Sequence, residues 1–320
     1  MIVFGPVPSR RLGRSVGINN IPPKVCSYAC IYCQLGRTIK MQIKRQTFYN
    51  MEDIIKEAKE KIEELNNNGE KIDYLTFVSD GEPTLDINIG KEISVLKPLG
   101  FKIAVITNAS LIWQEDVRRD LLDADWVSLK IDAVTDEVWH RINRPYRTLN
   151  HKKILDGMIR FSKRYKGFLA TETMLIRGIN DNDQELEKIA EVLTRLKPDK
   201  AYISIPTRPP AEKDVLPPEE PKINIAYQIF NQMGINSEYL IGYEGNEFSS
   251  TGNIEEDLLN ITAVHPMKRQ AVEELLRRYN YGWDVIDKLI SEQKIIRSEY
   301  RGEVFYMRRL SEEIHSQSFW

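Results

Sequence analysis

Cysteine is nearly missing from this chain. Three occur in 320 residues, and all three fall between positions 26 and 33. An odd count leaves no closed set of disulfides. Histidine is scarce as well: His140, His151, His265 and His315 all lie more than a hundred residues beyond the last cysteine. Acidic residues are absent from positions 1–50, where Arg10, Arg11, Arg14, Lys24, Arg37, Lys40, Lys44 and Arg45 stand. No apolar run approaches the roughly 20 residues of a membrane-spanning helix. Met1-Ile2-Val3-Phe4 meets Gly5-Pro6 too soon for a secretory leader. These absences, with reduced thiols, lead to the expectation of a cytoplasmic protein with no membrane partner.

What is present is ordinary in bulk. Hydrophobic residues make up 42% and charged residues 29%, as in a globular protein. The length suits one large domain and a small one. Between residues 15 and 240, strand patterns alternate with helix patterns. Short apolar runs at Ser15–Asn19, Tyr74–Val78, Lys102–Thr107, Trp126–Ile131, Ala170–Leu175 and Ala201–Ile205 read as strands. Amphipathic stretches at Met51–Asn66, Asn88–Leu99, Gln114–Leu122, Lys152–Arg164 and Asp183–Leu196 read as helices. Such alternation calls for a parallel sheet with helical crossovers, hence an α/β fold and a partial (β/α)6 barrel. Reactive residues are then expected at the carboxyl ends of the strands.

After the Pro-rich stretch Thr207–Pro221 come a last helix at Lys222–Met233 and a strand at Asn236–Ile241. Residues 1–242 are therefore expected to form the core and 243–253 a linker. Residues 254–320 are expected to form a small α+β domain with a tail. Helices at Pro266–Tyr279 and Gly282–Glu292, then a hairpin turning at Arg301-Gly302, resemble a winged helix. Phe4–Ser15 carries too many Gly and Pro for regular structure, and reads as a basic arm. Arg10, Arg11 and Arg14 are its candidates for gripping an anionic substrate, with an arm over the barrel bottom as the alternative.

The run Cys26-Ser27-Tyr28-Ala29-Cys30-Ile31-Tyr32-Cys33 is the strongest local signal. Three thiolates satisfy three irons of a 4Fe–4S cube and leave the fourth iron open. A structural zinc site wants four ligands, and a distant histidine could complete one. The C-x3-C-x2-C spacing with an aromatic before the last cysteine resembles the signature of the radical S-adenosylmethionine (SAM) superfamily. Asp80-Gly81-Glu82-Pro83 resembles that family's Gly-Gly-Glu-Pro motif, with Asp80 in place of the first glycine; read alone it is a simple turn.

The resemblance implies two cofactors, a 4Fe–4S cluster on Cys26, Cys30 and Cys33, and SAM. It implies reductive cleavage of SAM to a 5′-deoxyadenosyl radical that abstracts hydrogen from a substrate. It also implies an electron donor of flavodoxin or ferredoxin type. Gly81 and Glu82 are the carried-over contacts to the SAM amino group. Tyr32 is expected against adenine, Asn108 at the ribose, and the Ser204-Ile205-Pro206 backbone near adenine. Ser128 and Lys130 share one strand face. Lys130 is expected to meet the SAM carboxylate, or else to pair with Asp132. Glu172 is a weaker candidate, and no residue is assigned as catalytic.

Within the superfamily the chain is most similar to the wyosine-type tRNA-modifying proteins, but it lacks the cysteines of their second cluster. The expected substrate is anionic, with tRNA ahead of a protein or small metabolite, and the C-terminal domain is a possible docking site for a protein partner. The alternative from another class is a non-catalytic iron–sulfur sensor that binds DNA through its winged helix.

Overall fold

The computed structural model describes residues 2–78, 80–241, 253–264 and 266–309. Ser79, the expected linker but for Asn253, and the tail beyond 309 lie outside the described residues. The chain opens with an antiparallel pair, β1 (Val3–Ser9) and β2 (Gly13–Ile18). Two short strands, β3 (Val25–Cys26) and β4 (Lys40–Met41), bracket the cysteine loop. Then α1 (Met51–Asn67), β5 (Tyr74–Phe77), α2 (Ile89–Leu96), β6 (Lys102–Thr107), α3 (Glu115–Asp120) and β7 (Trp126–Lys130) follow. Two helices come next, α4 (Asp136–Asn143) and α5 (His151–Ser162), before β8 (Phe168–Met174). The core closes with α6 (Asp183–Leu196), β9 (Lys200–Ser204), α7 (Glu220–Gln232) and β10 (Ser237–Leu240).

The sheet order is β1-β2-β5-β6-β7-β8-β9-β10, and every pair from β2 onward is parallel. Each new strand joins beside the previous one, so the helices stay on one face and the sheet curls around the other. The six expected strands form the partial barrel, and the strand expected at Asn236–Ile241 adds a seventh parallel member. The expected arm is corrected. Phe4–Ser9 lies within β1, although it contains Gly5, Pro6 and Pro8. As an edge strand β1 pairs on one side only, and its register shifts between Phe4 and Val7, the settings in which a strand tolerates proline. Gly17 on β2 leaves room for the Phe4 ring, which a Cβ there would meet at 2.1 Å.

The helices follow from simple local chemistry. In α1 the residues Ile54, Ala58, Ile62 and Leu65 form the buried stripe, with Glu52 and Asp53 at the positive first turn. Asn150 caps α5 by accepting the Lys153 N–H at 2.9 Å, and Asn182 caps α6 through the Glu185 N–H at 3.0 Å. The outward side chains of the strands pack under these helices as the main core. The inward row begins with a floor of Leu12, Ala104, Trp126, Ala170 and Tyr202. Leu12 sits in the β1–β2 turn, so that turn plugs the strand-start end and leaves the other end open.

Residues beyond 253 build a second hydrophobic core from α8 (Ile254–Val264), β11 (Met267–Lys268), α9 (Arg269–Arg278), α10 (Asp284–Ser291), β12 (Ile295–Tyr300) and β13 (Glu303–Arg308). The three strands pair antiparallel in the order β11-β13-β12. Val7 of β1 packs against this core. Tyr300 on β12 donates its hydroxyl to the Pro206 carbonyl at 3.4 Å, which ties the hairpin to the open end of the barrel. Among the described residues no helix is long and apolar enough to cross a membrane.

Candidate functional site

The carboxyl ends of the parallel strands surround a cavity of about 320 Å³. Cys26, Cys30 and Cys33 line one side, Asp80 and Gly81 another, and Ser128, Lys130, Glu172 and Ser204 the depth. Tyr32, Asn108, Arg11 and the segment Ser204–Arg208 also contribute wall.

The cysteine loop is held by the last residues of α4 and the segment just after it. Ala29 N–H donates to the Asn143 carbonyl at 3.0 Å and Ile31 N–H to the Ile142 carbonyl at 2.9 Å. Tyr146 N–H donates to the Ser27 carbonyl at 2.9 Å. On the outer side the Pro-rich segment clamps down. Glu212 N–H meets the Ile31 carbonyl at 3.0 Å, Glu212 pairs with Arg37 and Arg144, and Arg208 donates to Gln34 at 2.8 Å. Burial pushes all three thiols above their ordinary values, Cys30 to about 12. Bare thiols here stay protonated, so a group that binds them must displace protons and bring compensating positive charge. Among the described residues no three or more Cys, His, Asp or Glu side chains converge as for one metal ion. His151 instead stacks on Trp139 at 4.4 Å between ring centroids. Three separately presented sulfurs suit a cube, in which each cysteine takes its own iron.

The Asp80-Gly81-Glu82-Pro83 turn divides its labour in an unexpected way. Gly81 lies against the strand that carries Cys26: a Cβ there would sit 1.9 Å from the Val25 carbonyl oxygen. Glu82 is fully buried and is not part of the cavity wall. Its carboxylate accepts from Thr84 N–H at 3.0 Å, from the Thr84 and Thr107 hydroxyls, and from Asn108 N–H at 2.7 Å. Burial raises its pKa and these four donors hold the rise in check. The expected contact between Glu82 and a cofactor ammonium is therefore corrected: its oxygens are spent fixing the end of β6. Within this turn the carboxylate that lines the cavity is Asp80, only 4% exposed. Asn19 donates to its Oδ2 at 2.8 Å and accepts its N–H at 2.7 Å. Its Oδ1 is buried with no hydrogen-bond partner among the described residues. Burial lifts the Asp80 carboxyl to about 6, with Asn19, Arg308 and Lys24 pulling it back.

Deeper in the barrel, Lys130 and Glu172 face each other in register on β7 and β8, with Nζ to Oε1 at 2.7 Å. Ser204 donates to the same oxygen at 3.0 Å, and Arg11 reaches the other. Burial alone would raise the Glu172 carboxyl, but Lys130 and Arg11 hold it far below the carboxylate range. Burial alone would lower Lys130, yet Glu172 and Asp132 leave it above the ordinary lysine value. The Lys130 ammonium lies 5.1 Å from the Tyr32 ring centroid, and the Tyr32 hydroxyl donates to Asp132. Lys130 thus pairs with Glu172 rather than with Asp132. The three arginines of the first turn also separate. Arg11 enters the barrel through its floor; Arg14, at the strand-start end, is engaged by Glu70; Arg10 is exposed in the turn outside the cavity wall. Arg10 and Arg14 are thereby corrected as anion contacts at the open end. Arg45 is likewise buried, bound to Asp116 and Asp120 at 2.6 Å each.

Asn108 sits where the ribose contact was expected, but its amide is directed at the cysteines: Nδ2 is 3.4 Å from Cys26 Sγ and 3.0 Å from Ser27 Oγ. Reasoning from the sequence missed Asn143, whose Nδ2 is 3.4 Å from Cys30 Sγ, because it passed over α4. The acidic start Asp136-Glu137 and the spacing of Val138, Trp139 and Ile142 were the signal for that helix.

Known proteins share the family and the fold. The profile described as "Radical SAM superfamily" matches residues 20–193. The UPF0026 protein MJ1312 of Methanocaldococcus jannaschii is 52% identical over 97% of this chain and 96% of its own length. A UPF0026 protein of Helicobacter pylori is 36% identical over 66% of this chain and 68% of its own. Among solved structures, a radical SAM methyltransferase from Sphaerobacter thermophilus superposes with a TM-score of 0.54 at 16% identity, covering 71% of this chain and 66% of its own. TYW1 with a bound lysine–pyruvate adduct superposes with a TM-score of 0.51 at 20% identity, covering 68% and 73%.

Proposed function

The chain belongs to the radical SAM superfamily, whose members bind a 4Fe–4S cluster and SAM, and from that premise we propose an enzyme built around a single cluster on Cys26, Cys30 and Cys33, with SAM in the adjoining cavity. When bound, these cofactors supply reductive cleavage of SAM and a 5′-deoxyadenosyl radical that takes hydrogen from the substrate. The observation that carries the reading is Asp80 Oδ1, a buried carboxylate oxygen without a hydrogen-bond partner among the described residues, on the wall of the cavity that the three cysteines also line. Such an atom calls for a cation or a donor, and the SAM ammonium supplies both.

The residues present suit the rest of the cofactor. Gly81 lets the Asp80–Glu82 turn lie directly against the strand that carries Cys26, where a Cβ would meet the Val25 carbonyl oxygen at 1.9 Å. Arg11, Lys130 and Glu172 together carry one net positive charge, so a carboxylate can join them, with Lys130 as its nearest donor. Tyr32, Ser128, Asn108 and Ser204 complete the wall around the nucleoside, in a pocket that holds bulk water away from the reacting bond.

For substrate we favour an anionic macromolecule, tRNA ahead of protein. Arg37, Lys40 and Lys44 stay exposed around the cysteine loop, and Arg301 is exposed at the tip of the β12–β13 hairpin. That hairpin, in a module we read as winged-helix-like, stands at the mouth through Tyr300 and Pro206. The reading carries with it a cytoplasmic setting, oxidoreductase chemistry and an external one-electron donor of flavodoxin or ferredoxin type.

The test is anaerobic reconstitution, reduction with SAM present, and quantification of 5′-deoxyadenosine and methionine. Cleavage is expected, and its loss in Cys26→Ala. A reconstituted cluster that leaves SAM intact would point to the sensor instead. RNA retention should fall steeply with salt; retention no better than that of a charge-matched control rules out tRNA.

A further inference from the structure

We propose that Asn108 and Asn143 set the reduction potential of the cluster, each through one amide N–H···S bond to a cysteine. The inference rests on the cofactor reading above. The two amides come from distant parts of the chain, the end of β6 and the end of α4. Asn108 Nδ2 lies 3.4 Å from Cys26 Sγ, and Asn143 Nδ2 lies 3.4 Å from Cys30 Sγ. Behind each stands a buried carboxylate at or just beyond a strand end. Glu82 accepts the Asn108 backbone N–H at 2.7 Å, and Asp132 accepts Asn143 Nδ2 at 2.8 Å. Neither carboxylate lines the main cavity. Asp132 holds the Asn143 amide directly, whereas Glu82 anchors the Asn108 backbone and the Asn108 amide is oriented by Ser27 Oγ at 3.0 Å and by Ser110 N–H, which donates to its Oδ1 at 2.9 Å.

The direction of the effect follows from charge. Reduction adds one electron, supplied by an external donor, to the oxidised cluster, and part of the added charge spreads onto the cysteine sulfurs. A donor aimed at a sulfur stabilises the more negative state more, so it raises the potential. Removing the donor makes the cluster harder to reduce. A tenfold shift in that equilibrium corresponds to about 59 mV for one electron.

The experiment reconstitutes the full chain anaerobically as wild type, Asn108→Ala, Asn143→Ala and the double variant. Each is titrated with titanium(III) citrate while the electron paramagnetic resonance signal of the reduced cluster is followed. Each single variant is expected to shift the equilibrium about tenfold toward the oxidised form, and the double variant further. Ser110→Ala, which removes the hydroxyl bonded to Ser27 Oγ in the same loop but leaves both amides in place, is expected to move it far less. A second readout needs no variant: resonance Raman of wild type should show Fe–S(Cys) stretches that move between H2O and D2O. Variants that carry a full cluster at the wild-type midpoint overturn the proposal, and so do stretches insensitive to D2O. A wild-type chain that takes up no 4Fe–4S cluster overturns the cofactor reading, and the inference with it.

Discussion

Replacing Gly81 with alanine should damage the fold and the site together. The added Cβ would lie 1.9 Å from the Val25 carbonyl oxygen, 2.8 Å from its carbon and 2.9 Å from Ile21 Cδ1. A flexible side chain can swing away from such a contact; a backbone carbonyl in β3 cannot. That carbonyl would have to retreat by about 1 Å, at an overpacking cost of roughly 1–3 kcal/mol. The retreat also breaks the bond from Glu82 N–H to Val25 O at 3.2 Å and strains the bond from Lys24 N–H to Asp80 O at 2.7 Å. Each is worth roughly 0.5–1.5 kcal/mol. The sum is about 2–6 kcal/mol, a large share of a domain's stability. Because Val25 precedes Cys26, the shift moves a cluster ligand. Urea unfolding should show the loss, and iron and sulfide analysis after reconstitution should show poor cluster retention. A Gly81→Ala protein within about 0.5 kcal/mol of wild type and with full iron would refute the close approach as the reason for glycine.

Asp80→Asn removes the charge expected to meet the SAM ammonium. A charged hydrogen bond is worth about 1.5–3 kcal/mol, so SAM affinity, measured anaerobically by calorimetry, should fall about 10- to 100-fold; an unchanged affinity sinks that assignment. Arg11→Met removes one charged hydrogen bond from Glu172 but leaves Lys130 as its cation, and should cost about 1.5–3 kcal/mol in urea unfolding, whereas a loss under about 0.5 kcal/mol would mean the pair is not buried as described. Burial pushes the Asp86 carboxyl up from 3.8 to about 6, with Asn88, Arg45 and a hydrogen bond from Glu92 holding it back, and burial together with Asp86 pushes Glu92 up from 4.5 to about 8. The folded chain therefore binds more protons than the unfolded one across that range, and stability should decline as pH rises from about 4 to 8, by at most about 1.4 kcal/mol per pH unit per proton. Glu92→Gln should flatten the slope, and an unchanged slope would place the proton elsewhere.

The barrel was legible in the sequence because its strands are buried on both faces and its helices on one stripe. Each therefore carries its own pattern, as in Lys102–Thr107 and Asp183–Leu196. β1 was not, since Gly5, Pro6 and Pro8 argue against a strand and only its edge position and the register shift between Phe4 and Val7 make them tolerable. The eight residues of α4 were too short a signal. In the site, the cysteines were readable because their ligand spacing is local. The use of Glu82 was not, because its partners Thr107 and Asn108 arrive from β6, a strand away. Nor was the fate of the basic arm. Arg14 and Arg45 meet carboxylates on other elements, which composition alone does not reveal.

The central claim is that SAM binds beside the open iron of a three-cysteine cluster, in the cavity walled by Asp80 and Lys130. Electron paramagnetic resonance of the reduced, reconstituted protein with and without SAM tests it most directly. The account predicts that SAM changes the g-values of the cluster in wild type, and that it does so only at much higher concentration in Asp80→Asn. A fully assembled 4Fe–4S cluster whose spectrum is the same with and without saturating SAM would contradict it.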